Sequence, residues 1–223
     1  MKIDILTLFP EMCGNYLSES IIGRARKSGA IEINCENIRD YTEDKHRRVD
    51  DKAYGGGTGM VMNAQPVYDC VKNVQGNESA RLIYMSPQGK VLNQELVNEL
   101  AQEPRLIILC GHYEGVDARV LDELEFEEIS IGDYVVTGGE LPALILADAV
   151  ARLQKGVLPS EDAFTEESHY NRLLEEPKYT RPEIWRERAV PEVLISGHHA
   201  NIEKWRSEQR ERVTRKKRPD MLT

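Results

Sequence analysis

Short, almost wholly apolar runs alternate along this chain with segments of helical periodicity, and that alternation restricts the fold more than any other feature. The apolar runs fall at residues 3–9, 31–38, 82–85, 106–110 and 126–131, and helical patterns occupy 15–28, 65–74, 94–102, 115–122 and 140–153. Pro10 stops the first run, Gly29 stands where a helix C′ glycine belongs, and Asn93 suits an N-cap. The run 31–38 alternates apolar and polar residues, as a strand with one solvated face does, whereas 106–110 is apolar throughout. Near-continuous strands separated by helices predict an α/β fold with a parallel sheet covered on both faces. In such sheets a ligand binds beyond the carboxyl ends of the strands. Three of these ends carry glycine turns, at 86–89, 111–115 and 132–139, and their convergence predicts a small-molecule pocket.

At 223 residues the chain suffices for one large α/β domain, or for a domain with a small appendage. Its character changes near Gly156. Residues 159–172 are polar and acidic and read as a linker, which divides the chain into domains at 1–158 and 173–223. The net charge is −9, which alone argues against a nucleic-acid binder. Its distribution argues the other way, because residues 201–218 carry +5 and the remainder −14. That basic tail is either a solvated amphipathic helix or a phosphate-contacting one, and the single sign of its excess favours phosphate. The cysteines, Cys13, Cys35, Cys70 and Cys110, form no Cys-x-x-Cys pair, which predicts free thiols in a reducing cytoplasm. The N-terminal run meets Asp4 at once and lacks a small-residue cleavage site, so it reads as a first strand rather than a signal peptide. No apolar run reaches membrane-spanning length. His169, His198 and His199 lack metal-ligand spacing.

Four motifs carry candidate chemistry. The glycine-rich loop 55–59 is not followed by Gly-Lys-Ser/Thr, which argues against a nucleotide phosphotransfer enzyme. It is either a flexible surface loop or backbone laid close to a flat ligand or RNA. The stretch 131–140 sets three glycines around a strand-to-helix junction, where main-chain groups can reach an adenine or ribose, or simply turn the chain. Asp148 and Arg152 stand four apart, as an i,i+4 ion pair or as a guanidinium available to developing negative charge. Glu175 and Glu176 lie in Arg-Leu-Leu-Glu-Glu-Pro-Lys-Tyr-Thr-Arg-Pro at 172–182, where composition alone assigns them no task.

Several long stretches resemble the bacterial tRNA (guanine-N1)-methyltransferases, the TrmD family of the SPOUT superfamily. They are Leu-Phe-Pro-Glu-Met at 8–12, Val-Asp-Asp-Lys-Ala-Tyr-Gly-Gly-Gly-Thr-Gly-Met at 49–60, Cys-Gly-His-Tyr-Glu-Gly-Val-Asp at 110–117 and Ile-Gly-Asp-Tyr-Val-Val-Thr-Gly-Gly-Glu-Leu-Pro at 131–142. Further matches are Asp-Ala-Val-Ala-Arg at 148–152, Leu-Leu-Glu-Glu-Pro-Lys-Tyr-Thr-Arg-Pro at 173–182 and Leu-Ile-Ser-Gly-His-His-Ala at 194–200.

The resemblance implies a sheet threaded as a trefoil knot, a small helical C-terminal domain that binds tRNA, and a homodimer with its active site at the subunit interface. It implies S-adenosylmethionine bound by Tyr84, Ser86, Pro87, Gly111, Glu114, Ile131, Gly132, Asp133, Tyr134, Val135, Val136, Gly138, Gly139 and Pro142. The implied product is N1-methylguanosine at tRNA position 37, with Glu175 as general base and Arg152 stabilising charge on O6. Asp50, Tyr54, Gly57, Arg181, Lys204, Arg206, Arg210 and Arg215 would bind the tRNA. Some members also need magnesium. The chain departs from the usual pattern at Thr58 (for Pro), His112 (for Arg), Arg172 (for Gly) and Glu175 (for Asp in many members).

Overall fold

A computed structural model describes residues 1–160, 164 and 167–222. The chain forms two compact units, Met1–Pro159 and Ser160–Thr223. The anticipated linker straddles that division, and its residues 161–163, 165 and 166 lie outside the described residues.

The first unit is built on five parallel strands: β1 (Lys2–Thr7), β2 (Glu32–Asn37), β5 (Arg81–Val91), β6 (Arg105–Cys110) and β7 (Glu127–Ser130). They lie in the order β2-β1-β6-β5-β7, every neighbouring pair parallel. The apolar continuity of the sequence runs has a direct cause, because β6 is central and every one of its residues is buried. Ile3, Ile5, Ile83, Leu106 and Ile108 face one apolar layer. Leu6, Tyr84, Ile107 and Leu109 face the other. The edge strand β2 is mostly half-exposed, which explains its alternation. At the start of β1 and β6, Arg105 and Asp4 form a buried ion pair at 2.7 Å. Arg105 also donates to Glu78 and to the Gln75 carbonyl, so its buried charge is well partnered.

Helices cover both faces: α1 (Pro10–Leu17), α2 (Ser20–Ser28), α3 (Ala64–Gln75), α4 (Gln94–Leu100), α5 (Ala118–Glu123) and α6 (Glu140–Ala151). Asn93 caps α4 by accepting from the Leu96 N–H at 2.9 Å, and Gly29 closes α2 in the left-handed region.

Three local features differ from the sequence expectation. The single helix expected over 15–28 is two helices, the first beginning at Pro10. The second packs so close to the turn between them that a Cβ on Gly23 would stand 2.1 Å from the Ser18 carbonyl oxygen. The loop at 39–63 holds a short hairpin, β3 (Asp50–Lys52) with β4 (Met60–Met62), and the glycine loop is its tip. The turn at 86–89 does not end β5. Met85 and Lys90 both pair with Ile129, so the chain leaves the sheet at 86–89 and returns.

The second unit contains a two-residue ribbon, β8 (Ile184–Trp185) with β9 (Arg188–Ala189), a short helix α7 (Glu192–Ile195) and the long helix α8 (His199–Lys217). Thr214 is fully buried on α8. Among the described residues no helix is long and apolar enough to cross a membrane.

Candidate active site

The three glycine-bearing strand ends enclose a cavity of about 420 Å³, within the range typical of small-molecule sites. The 86–89 excursion, the loop after β6 and the loop between β7 and α6 line it. Twelve of the fourteen residues expected to hold the cofactor line this cavity; Gly132 and Asp133 stand outside the lining. Chain packing explains the glycines. A Cβ on Gly139 would lie 2.7 Å from both Cys110 Cα and Gly111 N, and the Gly139 N–H donates to the Gly111 carbonyl at 2.8 Å. A Cβ on Gly89 would lie 2.4 Å from the Glu128 carbonyl carbon. On Gly111 it would meet the Tyr84 hydroxyl at 2.8 Å. Burial, and then the Glu128 carboxylate, push the Tyr84 phenol above its ordinary range, so it stays a neutral hydrogen-bonding group.

His112 Nδ1 is buried and has no hydrogen-bond partner among the described residues. It faces Gly138, where an added Cβ would stand 2.9 Å away. Phe9 and Tyr113 hold the ring edge-on, at centroid distances of 5.1 and 4.8 Å. A backbone-lined slot of this size fits the adenosine portion of S-adenosylmethionine, which presents a flat base and ribose hydroxyls.

The hairpin holding the glycine loop is fastened to the rim of this cavity. Glu114 N–H donates to the Met60 carbonyl at 3.0 Å, and Met62 N–H to the Gly115 carbonyl at 2.9 Å. Gly55, Gly56, Gly57 and Gly59 all have positive φ, which accounts for the glycines without any close neighbour at the first three. Tyr54 beside them is fully exposed, and Asp50 lies in a separate groove with Tyr41, Asn63 and Asp69.

Arg152 does not line this cavity. It caps the far end of α6, about 20 Å along the helix from Gly139 at 1.5 Å per residue. There it borders a smaller cavity of about 180 Å³ with Tyr16 and Asp148. The Asp148 carboxylate accepts from the Tyr16 hydroxyl at 2.7 Å, which raises that phenol to about 12.

In the second unit the structure separates the two adjacent glutamates. Glu175 is half-exposed. Its N–H donates to Ser168 Oγ at 3.0 Å, and its carboxylate stands 3.4 Å from both Ser168 Oγ and Lys178 Nζ. Glu176 is buried and accepts from Lys178 Nζ at 2.7 Å and Arg210 Nε at 2.8 Å. Arg210, expected on tRNA phosphate, thereby also serves a structural pair. Arg206 is shared between Glu203 at 2.7 Å and Glu176 at 3.8 Å, whereas Arg181, Lys204 and Arg215 are exposed.

Thr214, which sequence reasoning passed over, accepts from the Leu174 N–H at 2.8 Å and donates to the Arg210 carbonyl at 2.7 Å. It anchors the glutamate segment to α8, and its signal was a β-branched polar residue inside a charged helix. Arg172 has φ 57°, a left-handed conformation that explains the glycine usual at that place in the family.

The Glu176 pair makes a prediction. Burial raises its pKa, but Lys178 and Arg210 outweigh burial and hold it at about 2. The folded value lies below the unfolded one, so the stabilisation is complete above about pH 4.5 and is lost as pH falls toward 2. The second unit is expected to lose about 2 kcal/mol over that window, after discounting for the exposed lysine. Both tryptophans, Trp185 and Trp205, lie in this unit, so urea unfolding followed by their fluorescence reports it. Glu176→Gln should be less stable at pH 7 and should flatten the acid dependence; an unchanged slope in the variant contradicts the assignment.

Among the described residues no cluster of three or more His, Cys, Asp or Glu side chains is arranged to hold a metal ion. The family described as tRNA (Guanine-1)-methyltransferase TrmD matches residues 1–223. A tRNA (guanine-N(1)-)-methyltransferase of Ruminiclostridium cellulolyticum is 59% identical over 224 residues, covering 100% of this chain and 96% of that one. The enzymes of the same description from Alkaliphilus oremlandii and Clostridium botulinum are each 52% identical, covering 100% of this chain and 92% of theirs. With the match extending from the first residue to the last, the chain belongs to the tRNA (guanine-N1)-methyltransferase family TrmD.

Proposed function

We propose that this enzyme transfers a methyl group from S-adenosylmethionine to N1 of guanosine 37 of tRNA, next to the anticodon. The observation that carries this reading is the glycine-lined cavity at the three strand ends, in a chain matching the TrmD family throughout. When bound, S-adenosylmethionine supplies an electrophilic methyl on sulfur. Tyr84, Ser86, Pro87, Gly111 and the 131–139 loop hold it. Guanine N1 carries a proton, so Glu175 takes that proton as N1 gains the methyl. The negative charge displaced toward O6 is held by the Arg152 guanidinium.

Arg152 stands a helix length from its own chain's cofactor loops, which supports an active site completed by a second copy. Leu141, Ile145, Asp148 and Arg152 recur on one face of α6, and the first two are exposed. Phe9, Met12 and Tyr16 are exposed beside α1, which the Tyr16–Asp148 hydrogen bond joins to α6. Such an apolar face suits a homodimer interface that also delivers Arg152 to the partner's pocket. We further propose that the chain is threaded as a trefoil knot, supported by the tight backbone approaches at Gly89 and Gly139. The second unit acts as a tRNA-binding domain through the exposed cations of α8, and a cytoplasmic location is supported by its substrate and free thiols.

The test uses labelled S-adenosylmethionine and two tRNA transcripts, one with guanosine and one with adenosine at position 37. Label confined to the guanosine transcript, and recovered as 1-methylguanosine after digestion, is expected. Label in both transcripts, or in a ribose methyl, overturns the reading.

A further inference from the structure

The ribbon of β8 and β9 places an aromatic ring where a small domain has least reason to put one. Arg186 and Glu187 are its entire turn, and both have positive φ, 47° and 64°. That geometry is normally filled by Asn-Gly, so a non-glycine pair here carries a backbone cost. Two-residue strands cannot stabilise themselves. Nevertheless Trp185 is 59% exposed. It pairs directly across the ribbon with Arg188, so the two side chains leave from the same face. The Arg186 guanidinium stands 5.1 Å from the indole centre. The tip therefore offers an exposed indole with the Arg186 guanidinium over its ring and Arg188 on the same face of the ribbon.

We propose that the Trp185–Arg188 ribbon is a stacking platform for an unpaired nucleotide of the tRNA; the proposal rests on the methyltransferase reading. A nucleobase stacks on the indole, and Arg186 and Arg188 take the phosphates on either side. Charge favours this occupant. Residues 177–218 contain twelve Lys and Arg against six Glu, in a chain whose net charge is −9. Aromatic and cationic side chains at one exposed tip are what single-stranded nucleic acid recognition uses, because every base has a π-face and a phosphate next to it.

The experiment measures tRNA binding by filter retention and methyl transfer by steady-state kinetics, on the full chain. Trp185→Ala should raise Kd and KM for tRNA by about tenfold, with kcat and the cofactor Kd unchanged. Trp185→Phe should restore most of the affinity. Trp185→Leu, which replaces the apolar area without the π-face, should not. Arg188→Gln should lower the slope of log Kd against log salt by about one, whereas Trp185→Ala should leave that slope alone.

Unchanged tRNA binding by Trp185→Ala overturns the proposal, as does rescue by leucine equal to rescue by phenylalanine. A change in sedimenting mass without a change in RNA affinity also overturns it, since the ribbon would then join copies of the chain. Wild-type protein that binds tRNA through Trp185 but transfers no methyl leaves the platform standing and sinks the methyltransferase reading instead.

Discussion

Gly139→Ala should weaken S-adenosylmethionine binding about a hundredfold while leaving a folded protein. The added methyl would lie 2.7 Å from Cys110 Cα and Gly111 N, both main-chain atoms that cannot swing aside. Relief requires the loop before α6 to part from the end of β6, and both segments line the glycine-lined cavity. The residue has φ −78°, so backbone preference contributes nothing and the effect is steric alone. Gly14→Ala is the matched control. It sits in α1 with open space around it, and should retain cofactor binding. Isothermal titration with S-adenosylmethionine reads both. Equal affinities for the two variants would mean that the close approach at Gly139 does not shape the pocket.

Glu175→Gln should lower kcat by 10²- to 10⁴-fold, about the usual worth of a positioned general base, with KM for tRNA and cofactor Kd little changed. Glutamine keeps the size of the side chain and loses the proton acceptor. The neighbouring Glu176→Gln should behave differently, because Glu176 is buried against Lys178 and Arg210 and its loss acts through stability. Single-turnover methyl transfer on both variants separates the roles. If Glu176→Gln loses the chemical step while Glu175→Gln keeps it, the assignment is reversed.

The sheet was legible because its inner strands are enclosed on both faces, so β6 reads as an unbroken apolar run and the edge strand β2 as an alternating one. The glycine-lined cavity was legible for a related reason, since close backbone packing leaves glycine as its written trace at Gly89, Gly111 and Gly139. Long-range pairing leaves no such trace. Nothing in the local pattern around Arg210 shows that its guanidinium turns inward to Glu176, thirty-four residues earlier. Thr214 is similar, because its burial depends on the Leu174 backbone reaching α8. The ribbon at Trp185 escaped because two-residue strands have no periodicity and its turn lacks the glycine that usually marks one. The position of Arg152 is the most consequential case. Its spacing from Asp148 suggests an ion pair, whereas the helix places it far from the cofactor loops of its own chain.

That separation is also where the account is most exposed to test. Two variants, Gly139→Ala and Glu175→Gln, are each expected to be nearly inactive as homodimers. Carried on differently tagged chains and co-purified as a mixed dimer, they should regain about half the wild-type methyl transfer. One pocket would then pair an intact cofactor loop from the Glu175→Gln chain with the intact Arg152 and Glu175 of the other. If each active site were built within a single chain, every site in the mixed dimer would carry a defect. A mixed dimer as inactive as its parents, with cofactor bound to the Glu175→Gln chain, would contradict the shared active site.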